Sequence, residues 1–256
     1  MNMDKYYKNY ISLGYFCSVA EDLEKMGLRN QSSPFDWIIS NFEGVIEAID
    51  KEFDDFMDYE NLSQSINNRN IYHDDKYHFY FFHDFSQYSS LDKQYHDVRN
   101  KYYRRINRFF QTIIEPTLFI RYISTEELDD DKSVELEWIE SNYERIMSVL
   151  RKYNPENDII FIGDETLKSN IIKIYTVEKD EGDLVSRSPI INNNELYPIL
   201  SAVDFPSKEK NIQWYNRKRM NEKRLDYRLK NILIGVLSHR FLKVYNHDKT
   251  YDVPNK

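Results

Sequence analysis

The sequence of 256 residues predicts an α/β chain: a three-layer α/β/α domain with a largely parallel sheet, followed by a helical C-terminal region. Three observations carry this expectation. Short apolar runs alternate with segments whose apolar residues recur at helical spacing, in the order strand, helix, strand, helix, strand. The runs Leu118-Phe119-Ile120 and Ile159-Ile160-Phe161-Ile162 are apolar without interruption, as in strands buried on both faces. The chain is also 15% aromatic with only 6 Gly and 7 Pro, so it holds large rings to bury and few residues that break regular structure.

In chain order, Tyr10 to Gly14 reads as a strand ending at a glycine. A helix follows from Ser18 to Met26, with Val19, Ala20, Leu23 and Met26 on one stripe and Gly27 placed to stop it. Arg29 to Asp36, with Ser32, Ser33 and Pro34, is expected as loop until Phe35 and Trp37 dock on the core. Phe42, Val45, Ile46, Ile49 and Phe53 keep a helical period behind Asn41, a suitable cap. Asn61 to Asp75 is polar and is expected as a mobile loop. His78 to His83 is aromatic and too short for a helix, hence a strand, with Phe79, Phe81 and His83 on one face and His78, Tyr80 and Phe82 on the other.

Val98 to Ile114 reads as an amphipathic helix, ended by Pro116 and followed by the strand Thr117 to Ile123. A second long helix spans Val134 to Tyr153 and closes at Asn154-Pro155. Strands are expected at Ile159 to Gly163 and Ile171 to Val177. Residues 1–180 thus form the core domain. Residues 181–245 form an irregular and helical extension, with one or two helices between Trp214 and Val244, and 246–256 a frayed tail.

Charge and composition exclude several classes. With 35 Lys+Arg against 43 Asp+Glu the net charge is −8, which argues against nucleic acid or anionic lipid as the main partner. A single cysteine excludes an internal disulfide framework and a Cys-based zinc site. No P-loop, GxGxxG or HExxH occurs, so no cofactor and no metal is expected. No apolar run reaches membrane-spanning length, and the polar segment Met1 to Tyr10 lacks a secretory signal, so a cytoplasmic protein is expected.

Cys17 lies three residues past Gly14, where a strand gives way to a helix. Backbone N–H groups and the dipole at a helix start favour a thiolate and could hold an oxyanion, which suits a nucleophile. The contrasting reading is a small buried hydrophobe. A nucleophilic cysteine needs a base, and among six histidines His83 is the leading candidate, at a strand end before the Phe85-Ser86 loop. His73, His78 and His96 are second choices, and His239 and His247 lie in the least interpretable region. Asp84 is the nearest orienting carboxylate but serves only if the chain turns there, and Asp36 and Asp164 compete with it. Arg121 interrupts an apolar strand and requires a partner: Asp36, Asp84, Asp164 or an anionic substrate group. The basic stretches Arg99–Arg108 and Arg217–Lys230 read as solvated helix faces.

The blocks Ile11-Ser12-Leu13-Gly14-Tyr15-Phe16-Cys17-Ser18-Val19-Ala20, Gly27-Leu28-Arg29 and Ser33-Pro34-Phe35-Asp36-Trp37 resemble the DUF1796 family, described as papain-like cysteine peptidases. Phe82-His83-Asp84, the helix Lys101 to Phe109 and Leu118-Phe119-Ile120-Arg121 follow the same pattern in the same order. The resemblance covers Tyr10 to Ile123 well and Val134 to Val177 loosely. It implies Cys17 as nucleophile and His83 as base. The substrate is expected among small molecules, peptides and glycans. The Cys-Gly-Ser-Cys-Trp run of papains is absent. The parallel α/β reading instead suggests, by analogy, an SGNH-type esterase with Cys17 in place of serine, although no DxxH motif is present. Two non-catalytic expectations stand beside these. One is a sugar or phosphate binder in which Gly14, Ser18, Arg29, Asp36 and Arg121 face the ligand. The other is an accessory protein of surface-polysaccharide biosynthesis.

Overall fold

The computed structural model describes residues 6–65, 69, 71–125, 128–129, 132–178 and 185–222. The chain divides into two compact units, Met1–Asn211 and Ile212–Lys256. The tail from residue 246, most of the helical segment expected between Trp214 and Val244, and His239 and His247 lie outside the described residues.

The first unit is built on a parallel sheet of β1 (Asn9–Ser12), β6 (Thr117–Tyr122), β9 (Asp158–Asp164) and β10 (Ile174–Val177), side by side in that order. β1 pairs in parallel with β6, β6 with β9, and β9 with β10, so all four strands end on one edge. Side chains alternate between the two faces of a strand. Phe119 and Ile123 therefore enter one apolar cluster together with Ile11, Leu13 and Phe161. That cluster also receives α2 (Phe42–Asp50), α3 (Leu91–Ile113) and α4 (Val134–Arg151). On the other face, Leu118, Ile120, Tyr122, Ile160 and Ile162 are buried, and α1 (Cys17–Lys25) packs against β1 and β6. Helices thus cover both faces of the sheet.

Beside the expected parallel sheet lies a second, antiparallel one that the sequence reading did not include. β2 (Ile38–Ser40), β5 (Phe79–Phe81), β4 (Tyr72–Asp74) and β3 (Leu62–Gln64) lie in that order, all antiparallel. The aromatic strand is present but belongs here, and the segment expected as a loop at 61–75 supplies two strands. Phe79 and Phe81 are fully buried, while Tyr80 between them is half-exposed. α3 begins at Leu91, seven residues before the expected start, because Tyr95 already buries its ring. A ribbon of β7 (Leu128–Asp129) and β8 (Lys132–Ser133), α5 (Leu196–Ser201) and α6 (Lys208–Glu222) complete the described elements.

Local signals act where the sequence places them. Gly27 takes φ +74° after α1, and the bonds from Leu28 N to Leu23 O (2.9 Å) and Gly27 N to Glu24 O (3.2 Å) turn the chain out of the helix. Asn41 caps α2, its Oδ1 accepting from Gly44 N at 2.7 Å. Gly44 is required there because a Cβ would lie 2.0 Å from the Tyr77 carbonyl oxygen and 2.8 Å from Asn41 Oδ1. Gly44→Ala is therefore expected to lose about 1–3 kcal/mol to overpacking and about 1 kcal/mol more with the cap. A urea midpoint equal to that of the wild type would refute this packing account.

Candidate active site

The turn leaving β1 is held from beneath by Arg121. This residue interrupts β6, is fully buried, and has an acceptor for each of its five N–H groups. Nε and Nη2 donate to Glu135 at 3.0 and 2.6 Å. Nη1 donates to Leu13 O (2.8 Å) and Ser40 Oγ (3.1 Å), and Nη2 also reaches Ser40 O (2.7 Å). The guanidinium lies over the rings of Phe42 and Tyr15 at 5.1 and 5.8 Å. Its partner is therefore Glu135 at the start of α4, rather than Asp36, Asp84 or Asp164, and its donors are spent inside the protein rather than offered to an anionic ligand. Gly14 sits against it at φ +85°, where a Cβ would come within 2.8 Å of both Arg121 Nη1 and Ser40 Oγ. Only glycine fits this turn.

The turn delivers Cys17 to the first position of α1, at the edge where the parallel strands end. The helix start has Phe16 as its N-cap and no side-chain cap bond. Cys17 is half-buried, while Ser18 beside it is buried with its hydroxyl unpartnered. Burial pushes the Cys17 thiol up to about 12, and the carboxylate of Glu21, one helical turn on, adds to this. The residue's own backbone N–H and Lys25 act the other way and are outweighed. The resting group is a thiol, not the thiolate expected from the helix start.

His83 follows β5, where the chain bends toward α3. Its ring meets Trp37 edge-on at 6.5 Å. The ring reaches the surface, yet the protein around it lowers its pKa below 6.5 by desolvation, with Asp84 and Glu21 opposing. Glu21 therefore acts on both Cys17 and His83. No hydrogen bond joins the Cys17 sulfur to the His83 ring among the described residues. Asp84 is held by Lys101 Nζ and, at 2.8 Å, by the hydroxyl of buried Tyr102. Its bonds thus run to α3 and not to the imidazole beside it.

Arg29 and Asp36 close the loop beneath Trp37. Arg29 donates through Nε (3.1 Å) and Nη2 (2.5 Å) to Asp36, through Nη1 to Glu24 (3.2 Å), and through Nη2 to Ser32 (2.9 Å). Asp36 also accepts from Ser33 N at 2.8 Å. Burial raises the Asp36 pKa, while Arg29 and the Ser33 N–H pull it down. Asp164 ends β9 and turns the chain by accepting from Thr166 N at 2.9 Å. The other described histidines lie elsewhere: His73 in β4, His78 in the turn before β5, and His96 in α3.

Among the described residues no group of three or more His, Cys, Asp and Glu converges to hold a metal ion, and no helix is long and apolar enough to cross a membrane. The sequence reading missed Glu21, although its spacing of four from Cys17 already places it on the same helix face. It also missed Glu135, Lys101 and Tyr102, which reach the site through tertiary contacts.

The comparisons with known proteins agree on kinship. An uncharacterised protein of Acanthamoeba polyphaga mimivirus, R408, is 30% identical over 194 residues, which is 64% of this chain and 86% of that protein. No solved structure matches significantly. The family model described as "Putative papain-like cysteine peptidase (DUF1796)" matches residues 8–151, more than half of the chain and all of the segment that carries Cys17, His83 and Arg121. The chain therefore belongs to the DUF1796 family.

Proposed function

We propose that this protein is a cysteine-dependent hydrolase of the cytoplasm, with Cys17 as nucleophile and His83 as base. The observation that carries the reading is the position of Cys17: first residue of a helix without a side-chain cap bond, soon after the first strand, on the edge where the parallel strands end. The N–H groups of that first turn suit a developing oxyanion. The family description points to the same chemistry.

Because the Cys17 thiol is pushed up to about 12 and desolvation lowers the His83 pKa, the pair favours thiol and neutral imidazole over thiolate and imidazolium at the start. His83 would accept the thiol proton while sulfur bonds to the substrate carbonyl carbon. The carbonyl π pair moves to oxygen and is held at the α1 start. Collapse expels the leaving group, which takes the proton from His83, and water then cleaves the thioester. For this the imidazole must come within roughly 3–4 Å of the sulfur, the reach of proton transfer to a thiol. Asp84, anchored by Lys101 and Tyr102, would fix the backbone that carries it. The substrate is a carbonyl compound: a peptide, an ester or an acylated glycan.

The test is turnover of p-nitrophenyl acetate and of pooled fluorogenic peptide amides by the purified chain. Cys17→Ala is expected to abolish it, and His83→Ala to lower it by about 10²–10⁴-fold. Hydrolysis that survives Cys17→Ala would end the proposal. The protonated thiol, unbonded to His83, favours a second reading as a non-catalytic binder, in which Cys17→Ser leaves ligand affinity unchanged.

A further inference from the structure

The antiparallel sheet carries a polar group that neither the fold nor the Cys17 corner uses. Strand pairing sets Ser63, His73 and Tyr80 directly opposite one another across β3, β4 and β5. Paired residues share a face, so these three stand opposite to Phe79 and Phe81, which fill the core. His73 Nδ1 lies 2.7 Å from Asp75 Oδ1, and the same oxygen accepts the Ser63 hydroxyl at 2.8 Å. A carboxylate can only accept, so Nδ1 bears the proton and Nε2 keeps its lone pair. Nε2 is buried and has no hydrogen-bond partner. The ring is held by stacking on Tyr80 at 4.2 Å and lies 5.7 Å, tilted by 31°, from the ring of His78. His78 is exposed in the β4–β5 turn.

We propose that His73 and His78 form a two-imidazole site for a divalent transition cation of the zinc class, with Asp75 as the outer carboxylate that orients His73. A metal-bound histidine characteristically donates its other ring N–H to a carboxylate, and the Ser63–Asp75–His73 chain supplies that arrangement ready-made. Two imidazoles bound at the usual zinc–nitrogen distance in near-tetrahedral geometry have ring centres roughly 5–5.5 Å apart. The observed 5.7 Å is close to this spacing, and the His78 ring is exposed. Neutral imidazole nitrogens select zinc, copper or nickel over magnesium or calcium. Since no third donor converges among the described residues, water completes the coordination. This is a surface site of modest affinity, separate from Cys17.

The experiment is calorimetric titration of the full chain, without an affinity tag, with Zn²⁺, paired with the electron paramagnetic resonance spectrum of the Cu²⁺-loaded chain. One Zn²⁺ per chain and coupling to two nitrogens are expected. His73→Ala and His78→Ala should each weaken binding at least about tenfold, Asp75→Asn by about 10–100-fold, and Cys17→Ser should leave it unchanged. His78 and Asp75 are exposed, so their variants are expected to fold even where His73→Ala does not. The proposal is overturned if Zn²⁺ does not bind, if binding survives both His78→Ala and Asp75→Asn, or if it disappears with Cys17→Ser.

Discussion

Arg121→Met is expected to destabilise the protein by about 3–5 kcal/mol, because it leaves the charge of Glu135 uncompensated in a nearly buried position. Methionine roughly preserves the packing against Phe42 and Tyr15. What it cannot replace are the five donated hydrogen bonds, two of which satisfy the carbonyls of Leu13 and Ser40. Those carbonyls belong to the turn that leads to Cys17 and to the end of β2, so one side chain ties the two sheets and α4 together. Pairing Arg121→Met with Glu135→Leu removes the orphaned charge and is expected to recover part of the loss. Recovery stays partial because the two carbonyls still lack donors. Urea denaturation of the two single variants and the double variant measures this. A loss below about 1 kcal/mol for Arg121→Met would mean that the buried pair is not what holds the turn.

The contrast between Arg121 and Cys17 shows what sequence reading reaches here. That a buried guanidinium in β6 needs a partner follows from the apolar residues around it. Which partner it takes does not follow, since Glu135 lies beyond the strand at the head of a different helix. The same holds for Asp84, whose bonds to Lys101 and Tyr102 arise because α3 folds back across the bend after β5. Asn41, Gly27 and the helical stripes act through neighbours five residues apart or fewer, and their roles were legible. The aromatic run at 78–83 announces a strand but not its neighbours. Period-two alternation is the same in parallel and antiparallel sheets, so the second sheet was hidden. Its other strands, Ile38–Ser40, Leu62–Gln64 and Tyr72–Asp74, have three residues each, too few to show a period. The position of Cys17 at a helix start was readable, but its charge state was not. The dipole is a local effect, whereas the burial that outweighs it depends on the whole chain.

Iodoacetamide is expected to alkylate Cys17 in the folded chain about a thousandfold more slowly at pH 8 than in the urea-unfolded chain. A thiol held at about 12 is ionised far less at pH 8 than a free thiol, and only the thiolate reacts. With one cysteine in the sequence, the label reports this site alone. The folded-state rate should keep rising through pH 9 to 11 instead of levelling near 9. Glu21→Gln removes the carboxylate beside the sulfur, so it should speed labelling and shift the profile to lower pH. The same shift sets a sign for stability. The folded chain holds this proton more tightly, so its contribution is complete below the free-thiol pKa and is lost as pH rises from about 9 toward 12. A profile levelling below pH 9 would mean that the helix start and His83 outweigh burial, and catalysis would begin from a preformed thiolate. A slow, rising profile, together with turnover that depends on Cys17, would require the proton to leave sulfur only as the carbonyl is attacked. His83, kept neutral by its surroundings, is suited to take it at that moment.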